Sequence, residues 1–235
     1  MTSESESEIL ALRSKRLTAK QIARKLGLKV SQVNAVIKAN ATAQTAKAIA
    51  ETGGLAPIAQ CFVNTHCANR LLGPQTLDDD NDDGDEDIDG LGIVWVARTA
   101  KYDQFVVCTY LIDYWCLGLK DTIGEKKLNG IKYKQFLNHV YENFYYEGYQ
   151  EITLEQAQAI VYGAINYADS LGFKPHKDFQ KTNHHLGTWS GEPKLTFGRN
   201  GQPFFIEGPY DNSAYIMKTL MDSVGEGNFD YIRRL

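Results

Sequence analysis

The chain has 235 residues, 43% hydrophobic and 11% aromatic, with a formal net charge of −4, enough for one large domain or a small module beside an ordinary one and too apolar for a disordered chain. No apolar run reaches the roughly 18 residues that read as a membrane span, and the acidic start MTSESESEIL lacks the parts of a secretory signal. Cys61, Cys67, Cys108 and Cys116 are too few and too irregular for a disulfide framework, so reduced thiols and a cytoplasmic location are expected.

Residues 7–52 carry helical patterning that stops at Gly53-Gly54. Within them, AKQIARKLGLKVSQVNAVIKAN (19–40) holds five lysines or arginines and no acid. Its apolar spacing predicts two helices crossing steeply. Ile22 and Leu26 form a buried face, Ala23 permits close approach, and Gly27 suits a left-handed turn. Leu28 anchors that turn, and Val33 and Val36 face inward on the second helix. Thr18 and Ser31 are placed as caps, and Ile9, Leu10, Leu12 and Leu17 can supply a supporting helix. Residues 9–50 contain nine basic side chains (Arg13, Lys15, Arg16, Lys20, Arg24, Lys25, Lys29, Lys38, Lys47) and no Asp or Glu. A block of that size attracts polyanions.

The seven positions Ile22, Ala23, Leu26, Gly27, Leu28, Val33 and Val36 resemble the helix-turn-helix superfamily of nucleic-acid-binding modules. The resemblance covers residues 7–40. It implies that the second helix, 32–40, enters a DNA major groove with Ser31, Gln32, Asn34, Ala35 and Lys38 outward. Gln and Asn can bond adenine edges, while Arg13, Arg16, Lys20, Arg24, Lys25 and Lys29 hold phosphates. The plain alternative is a helical hairpin used for protein contacts.

Residues 55–73 are apolar enough for a folded unit, as strand or helix. Residues 74–90 read as an acidic linker or long surface loop, with nine acids among the twelve residues 78–89. DDNDDG (79–84) looks like the start of a calcium loop. However, Gly90 stands where such a loop ends in Glu, and Glu86 stands where an apolar residue belongs. GIVWVART and QFVVCTYLID, on either side of AKYD, predict a hairpin of central strands covered on both faces. An aromatic helix, YKQFLNHVYENFYY, follows and ends at Gly148. A second helix, 154–171, has a capping box at Thr153 and Gln156 and stops at Gly172. KLTFGRNGQPFFIEG predicts a hairpin turning at Asn200-Gly201, and a last helix lies near 213–224. The expected fold is therefore α+β, with a small all-helical module (1–52) followed by a mixed ββ-α-α-ββ-α domain (55–235).

Several constellations carry weaker chemistry. Asp113, after a long apolar run, stands where a metal-dependent nuclease places a ligand, with Asp121 or Glu125 to assist, but such an Asp is more often a strand-end cap. Cys116 has no base nearby in sequence and fits core packing. His176, Asp178, His184 and His185 form the local histidine cluster, an alternative metal site set against a polar loop. Cys61, His66 and Cys67 match no familiar zinc spacing. Tyr141, Phe144, Tyr145, Tyr146 and Tyr149 fit a core or partner interface better than base stacking. LIDYWCLGLKD, YGAINYADSLGFKPHKDF, FGRNGQPFFIEGPYDN and GEGNFDYI resemble a widespread bacterial domain, also seen in cyanobacteria. That resemblance covers residues 56–235 and implies a single domain without bringing an activity.

The resulting expectation is a DNA-binding protein, a transcriptional regulator or DNA-associated accessory factor acting on duplex DNA, rather than an enzyme. No cofactor and no membrane association are expected. The α+β domain is available for a protein partner or homo-oligomerisation. The competing readings are a metal-dependent nuclease guided by the basic module, and an RNA or ribonucleoprotein-binding factor.

Overall fold

The structure, a computed structural model, describes residues 3–51, 54–73, 90–142 and 148–233. The chain forms two compact units, Met1–Pro57 with Thr99–Gln104, and Ile58–Arg98 with Phe105–Leu235.

The first unit contains α1 (Ser3–Ser14), α2 (Ala19–Leu26) and α3 (Val30–Glu51). Ile9, Ile22, Ala23, Val33, Val36 and Ile37 form its core, with Leu10, Leu12, Leu17, Leu26 and Leu28 half-buried around them. Local chemistry sets each boundary. Thr18 and Gln21 make a reciprocal capping box at the start of α2. At its end Gly27 takes φ 66°, and the Gly27 and Leu28 amides both close on the Ala23 carbonyl. α3 is longer than the 32–40 expected, because the alanine-rich stretch after Asn40 favours helix throughout. It also begins at Val30, so Ser31 lies inside the helix and does not cap it. The tie before α3 runs instead from the Lys29 amide to Gln32 Oε1, at 2.9 Å.

The second unit is α+β. Its five-stranded antiparallel sheet has the order β4-β3-β2-β1-β5, built from β1 (Ile58–Asn64), β2 (Leu91–Lys101), β3 (Gln104–Asp113), β4 (Gly118–Asn129) and β5 (Tyr149–Ile152). The expected hairpin is β2–β3, and β2 occupies the centre. Both faces of the sheet are covered, as the continuous apolar runs predict. Val94, Val96, Cys108, Tyr110 and Ile112 pack into one cluster with Ala157, Ile160, Val161 and Ala164 of α6 (Leu154–Ser170). Ile93, Trp95, Ala97 and Val107 pack into another with Tyr133, Leu137 and Tyr141 of α5 (Gly130–Glu142). The alternation of odd and even residues follows from the two-residue period of a strand. α4 (Thr65–Leu72) and α7 (Phe179–Leu186) join the α6 side through Cys67, Ala68, Leu71 and Leu186.

The order ββ-α-α-ββ-α needs correction. Residues 55–73 supply a strand and a helix, β1 and α4, and β4 and β5 are additional strands. The turn at Asn200-Gly201 forms, with φ 52° and 79°, and Arg199 pairs with Gln202. No hairpin extends from it. The Gly198 and Phe204 amides bond to the Tyr114 and Trp115 carbonyls instead, and Pro203 between them has no N–H to give. β6 (Phe204–Ile206) pairs in parallel with β7 (Asp230–Ile232). The last helix is α8 (Ser213–Ser223), capped by the Asn212 side chain on Tyr215 N–H. The acidic residues 78–89 and the aromatic residues 144–146 lie outside the described residues.

Candidate nucleic-acid interface

The candidate surface is assembled by α2, α3 and the turns that flank them. The three inward positions of α3, Val33, Val36 and Ile37, are buried. Helical geometry then sends Ser31, Ala35 and Lys38 to the opposite face and Asn34 to its flank, and all four are exposed. Gln32 is exposed beside them, as are Arg13, Arg16, Lys20, Arg24, Lys25 and Lys29. Every one of the eleven residues expected to meet nucleic acid is therefore accessible.

Their partners differ. Arg13 Nη1 donates to the Leu17 carbonyl at 3.0 Å, and Arg16 takes the left-handed backbone at φ 63°. Both residues help shape the α1–α2 turn. The carbonyl oxygen of the Gln32 side chain is occupied by the Lys29 amide. Reading Gln32 only as an outward base contact overlooked this role. Gln21 and Gln156 make the same tie to the Thr18 and Thr153 amides, but there a threonine marks the helix start in the sequence and Lys29 gives no such mark.

Comparison with family models, curated proteins and solved structures gives no match to this chain. The chemistry must be read from the residues alone.

The other constellations resolve into packing and local hydrogen bonds. Asp113 is buried, 4% exposed, at the end of β3. Its Oδ1 accepts from the Trp115 and Cys116 amides at 3.0 and 2.9 Å. Burial pushes its carboxyl up to about 6, against the opposing pull of Lys120 and of those amides. It holds the β3–β4 turn. Asp121, on β4, is exposed and accepts from the Thr122 amide. It lies at a cleft of about 120 Å³ whose other walls are Ile93, Thr109, Leu111, Thr122, Ile123 and Val140. Among the described residues that lining offers one carboxylate, two threonine hydroxyls and no second titratable group. Cys116 is buried, and its thiol is raised by burial and by Asp113, which suits packing rather than attack.

The histidines point to separate partners. His185 is buried and donates Nε2–H to the Val96 carbonyl at 3.1 Å, and burial lowers its pKa to about 4. His184 Nε2 meets Glu125 at 2.7 Å on the surface. His176 Nδ1 stands 3.6 Å from Asp121 and 3.9 Å from Asp178. Among the described residues no three His, Cys, Asp or Glu side chains form a group able to hold a metal ion.

One buried charge escaped the sequence reading. Arg98, 5% exposed on β2, donates Nε–H to the His185 carbonyl at 2.7 Å, at the C-terminal end of α7. Gln158 donates to the Leu186 and Thr188 carbonyls at 2.9 and 3.1 Å, and the Tyr162 hydroxyl to the Gly187 carbonyl at 2.9 Å. Three side chains from two elements thus satisfy the carbonyls that a helix end leaves over. The role of Arg98 is structural.

Proposed function

We propose that the protein binds duplex DNA through α2 and α3, as a transcriptional regulator or DNA-associated accessory factor. One observation carries this reading. The acid-free basic block of residues 9–50 folds so that its apolar positions form a core of their own while all eleven candidate contacts stay exposed. A cationic face with carboxamide side chains on its projecting helix suits the phosphate backbone and base edges of a duplex. The helix-turn-helix resemblance supports the same reading, and the exposed α3 face is the part that would lie in the major groove.

The test is binding of the full chain to labelled duplex DNA, to the matching RNA duplex and to single strands, at fixed salt. Duplex DNA is expected to bind tightest. A combined Lys20→Gln, Arg24→Gln, Lys29→Gln variant is expected to lose at least about tenfold while keeping its fold, since each lost phosphate contact removes counterion release. Equal binding by that variant would reject the assignment, and preference for RNA would move the protein to the ribonucleoprotein class.

A further inference from the structure

Resting on that DNA-binding reading, the structure separates the two carboxamides at the start of α3, which look interchangeable in the sequence. Adenine is read in the major groove by a side chain that accepts from N6–H and donates to N7 together, so both ends of the amide are needed. Gln32 is held away from that task, because its Oε1 accepts the Lys29 amide at 2.9 Å and this bond turns the carboxamide back towards the start of the helix. That bond is the counterpart of Gln21 on the Thr18 amide, 2.8 Å, and of Gln156 on the Thr153 amide, 2.9 Å. It gives a partner to an amide that helix geometry leaves over before the first turn. Releasing Gln32 to read a base would strip this amide of its bond. Its remaining NH₂ can only donate, which suits a phosphate oxygen.

Asn34 is not held in this way. It is exposed, it lies on the flank of the stripe formed by Val33, Val36 and Ile37, and its side chain makes no hydrogen bond to the described residues. Both ends of its amide are available. Ala35 follows it and is exposed too, presenting a methyl group of the kind that contacts the thymine C5-methyl. We propose that Asn34 is the adenine-reading residue and Ala35 a thymine-methyl contact. The preferred duplex therefore carries A·T pairs under the first turns of α3. Gln32 is a positioning residue that fixes the start of the helix and does not discriminate between bases.

The experiment is selection of the full chain on a pool of random duplexes, followed by binding of the recovered site with single-atom changes. The wild type is expected to enrich an adenine whose replacement by 7-deazaadenine, which lacks the N7 acceptor, weakens binding about fivefold to a hundredfold. Asn34→Ala should bind the two duplexes equally. Replacing the neighbouring thymine by deoxyuridine should weaken the wild type less, about two- to fivefold, as a single methyl contact predicts. Gln32→Ala should bind all sequences more weakly by a similar factor and keep the same enriched site. Gln32→Glu, which keeps the acceptor, should restore slow hydrogen exchange at the Lys29 amide. If Gln32→Ala changes the enriched base while Asn34→Ala does not, the assignment is overturned although DNA binding stands. If the wild type enriches no duplex and binds none, the DNA-binding reading fails first and this inference falls with it.

Discussion

Two buried titratable residues, Asp113 and His185, pull the pH dependence of stability in opposite directions. Asp113 is raised in the folded protein to about 6 from an ordinary 3.8. The folded state therefore binds more protons between those values, and the contribution of Asp113 is full below pH 4 and lost as pH rises through 6. His185 is lowered from 6.5 to about 4. Its contribution is full above pH 6.5 and lost as pH falls towards 4. Each amounts to about 2–3 kcal/mol across the window, and in the wild type they largely offset one another. Urea denaturation at pH 4, 5, 6 and 7 should show Asp113→Asn gaining about 2–3 kcal/mol on the wild type as pH rises. His185→Gln should gain by a similar amount as pH falls. Parallel curves for all three proteins would place these groups in contact with water. A third residue acts through its backbone alone. Nothing lies within 4 Å of a Cβ built on Gly27, so space is available and only its φ of 66° resists a side chain. Gly27→Val should cost the first unit about 1–2 kcal/mol, and Gly27→Asn clearly less, read from hydrogen exchange in α2 and α3.

At the scale of elements, what could be read from the sequence depended on whether a segment carries its own signals. α2 and α6 announce themselves by capping boxes, and both start where Thr18 and Thr153 place them. β2 and β3 are legible as unbroken apolar runs because both of their faces are buried. β4 was missed because it lies at the sheet edge, and its second half, with Glu125, Lys126 and Lys127, is exposed and reads as loop. Charges of that kind on an edge also discourage pairing with other strands. β5 has four residues, too few for a two-residue alternation to show in the sequence, so it offers no pattern. β6 and β7 form by a pairing between distant segments that no local motif encodes. The candidate site followed the same rule. Its exposed and buried positions were legible from helical spacing, whereas the tie of Gln32 to Lys29 needed the helix start to be known. The end of α7 gives the element-scale prediction. Arg98→Met and Gln158→Leu keep apolar bulk but leave buried carbonyls without a donor, at about 1–3 kcal/mol for each group. Both variants should lower the melting temperature, and hydrogen exchange should quicken first in α7.

For the whole molecule, the net charge of −4 conceals an asymmetry that matters more than the sum, with nine bases in residues 9–50 and nine acids in residues 78–89. A protein of this net charge would be repelled by a polyanion if its charges were spread evenly. Binding of the full chain to duplex DNA should therefore fall steeply with salt. A slope of magnitude about 3–6 in log K against log salt is expected from partial engagement of the basic residues. Neutralising one engaged lysine, such as Lys29→Gln, should reduce that slope by about 0.9. A slope near zero would mean that these charges do not meet phosphate.

The double coverage of the central strand has a consequence for misfolding. In most half-buried strands a slip of one residue is forbidden because it drives polar side chains into the core. In β2 the run Ile93–Ala97 is apolar on both sides, so polarity gives no protection, and bulk must do so instead. Trp95 stacks edge-on against Tyr133 at 5.4 Å between ring centroids, whereas Val94 and Val96 share a cluster with the alanines of α6. A slipped strand would press an indole against a layer of methyl groups and leave a void beneath α5. The exchange Val94→Trp with Trp95→Val leaves composition and hydrophobicity untouched, yet it should abolish cooperative unfolding. Within Ile93–Ala97 the alignment is thus guarded by size, and the first polar guard comes only at Arg98, which a slip would take away from the His185 carbonyl.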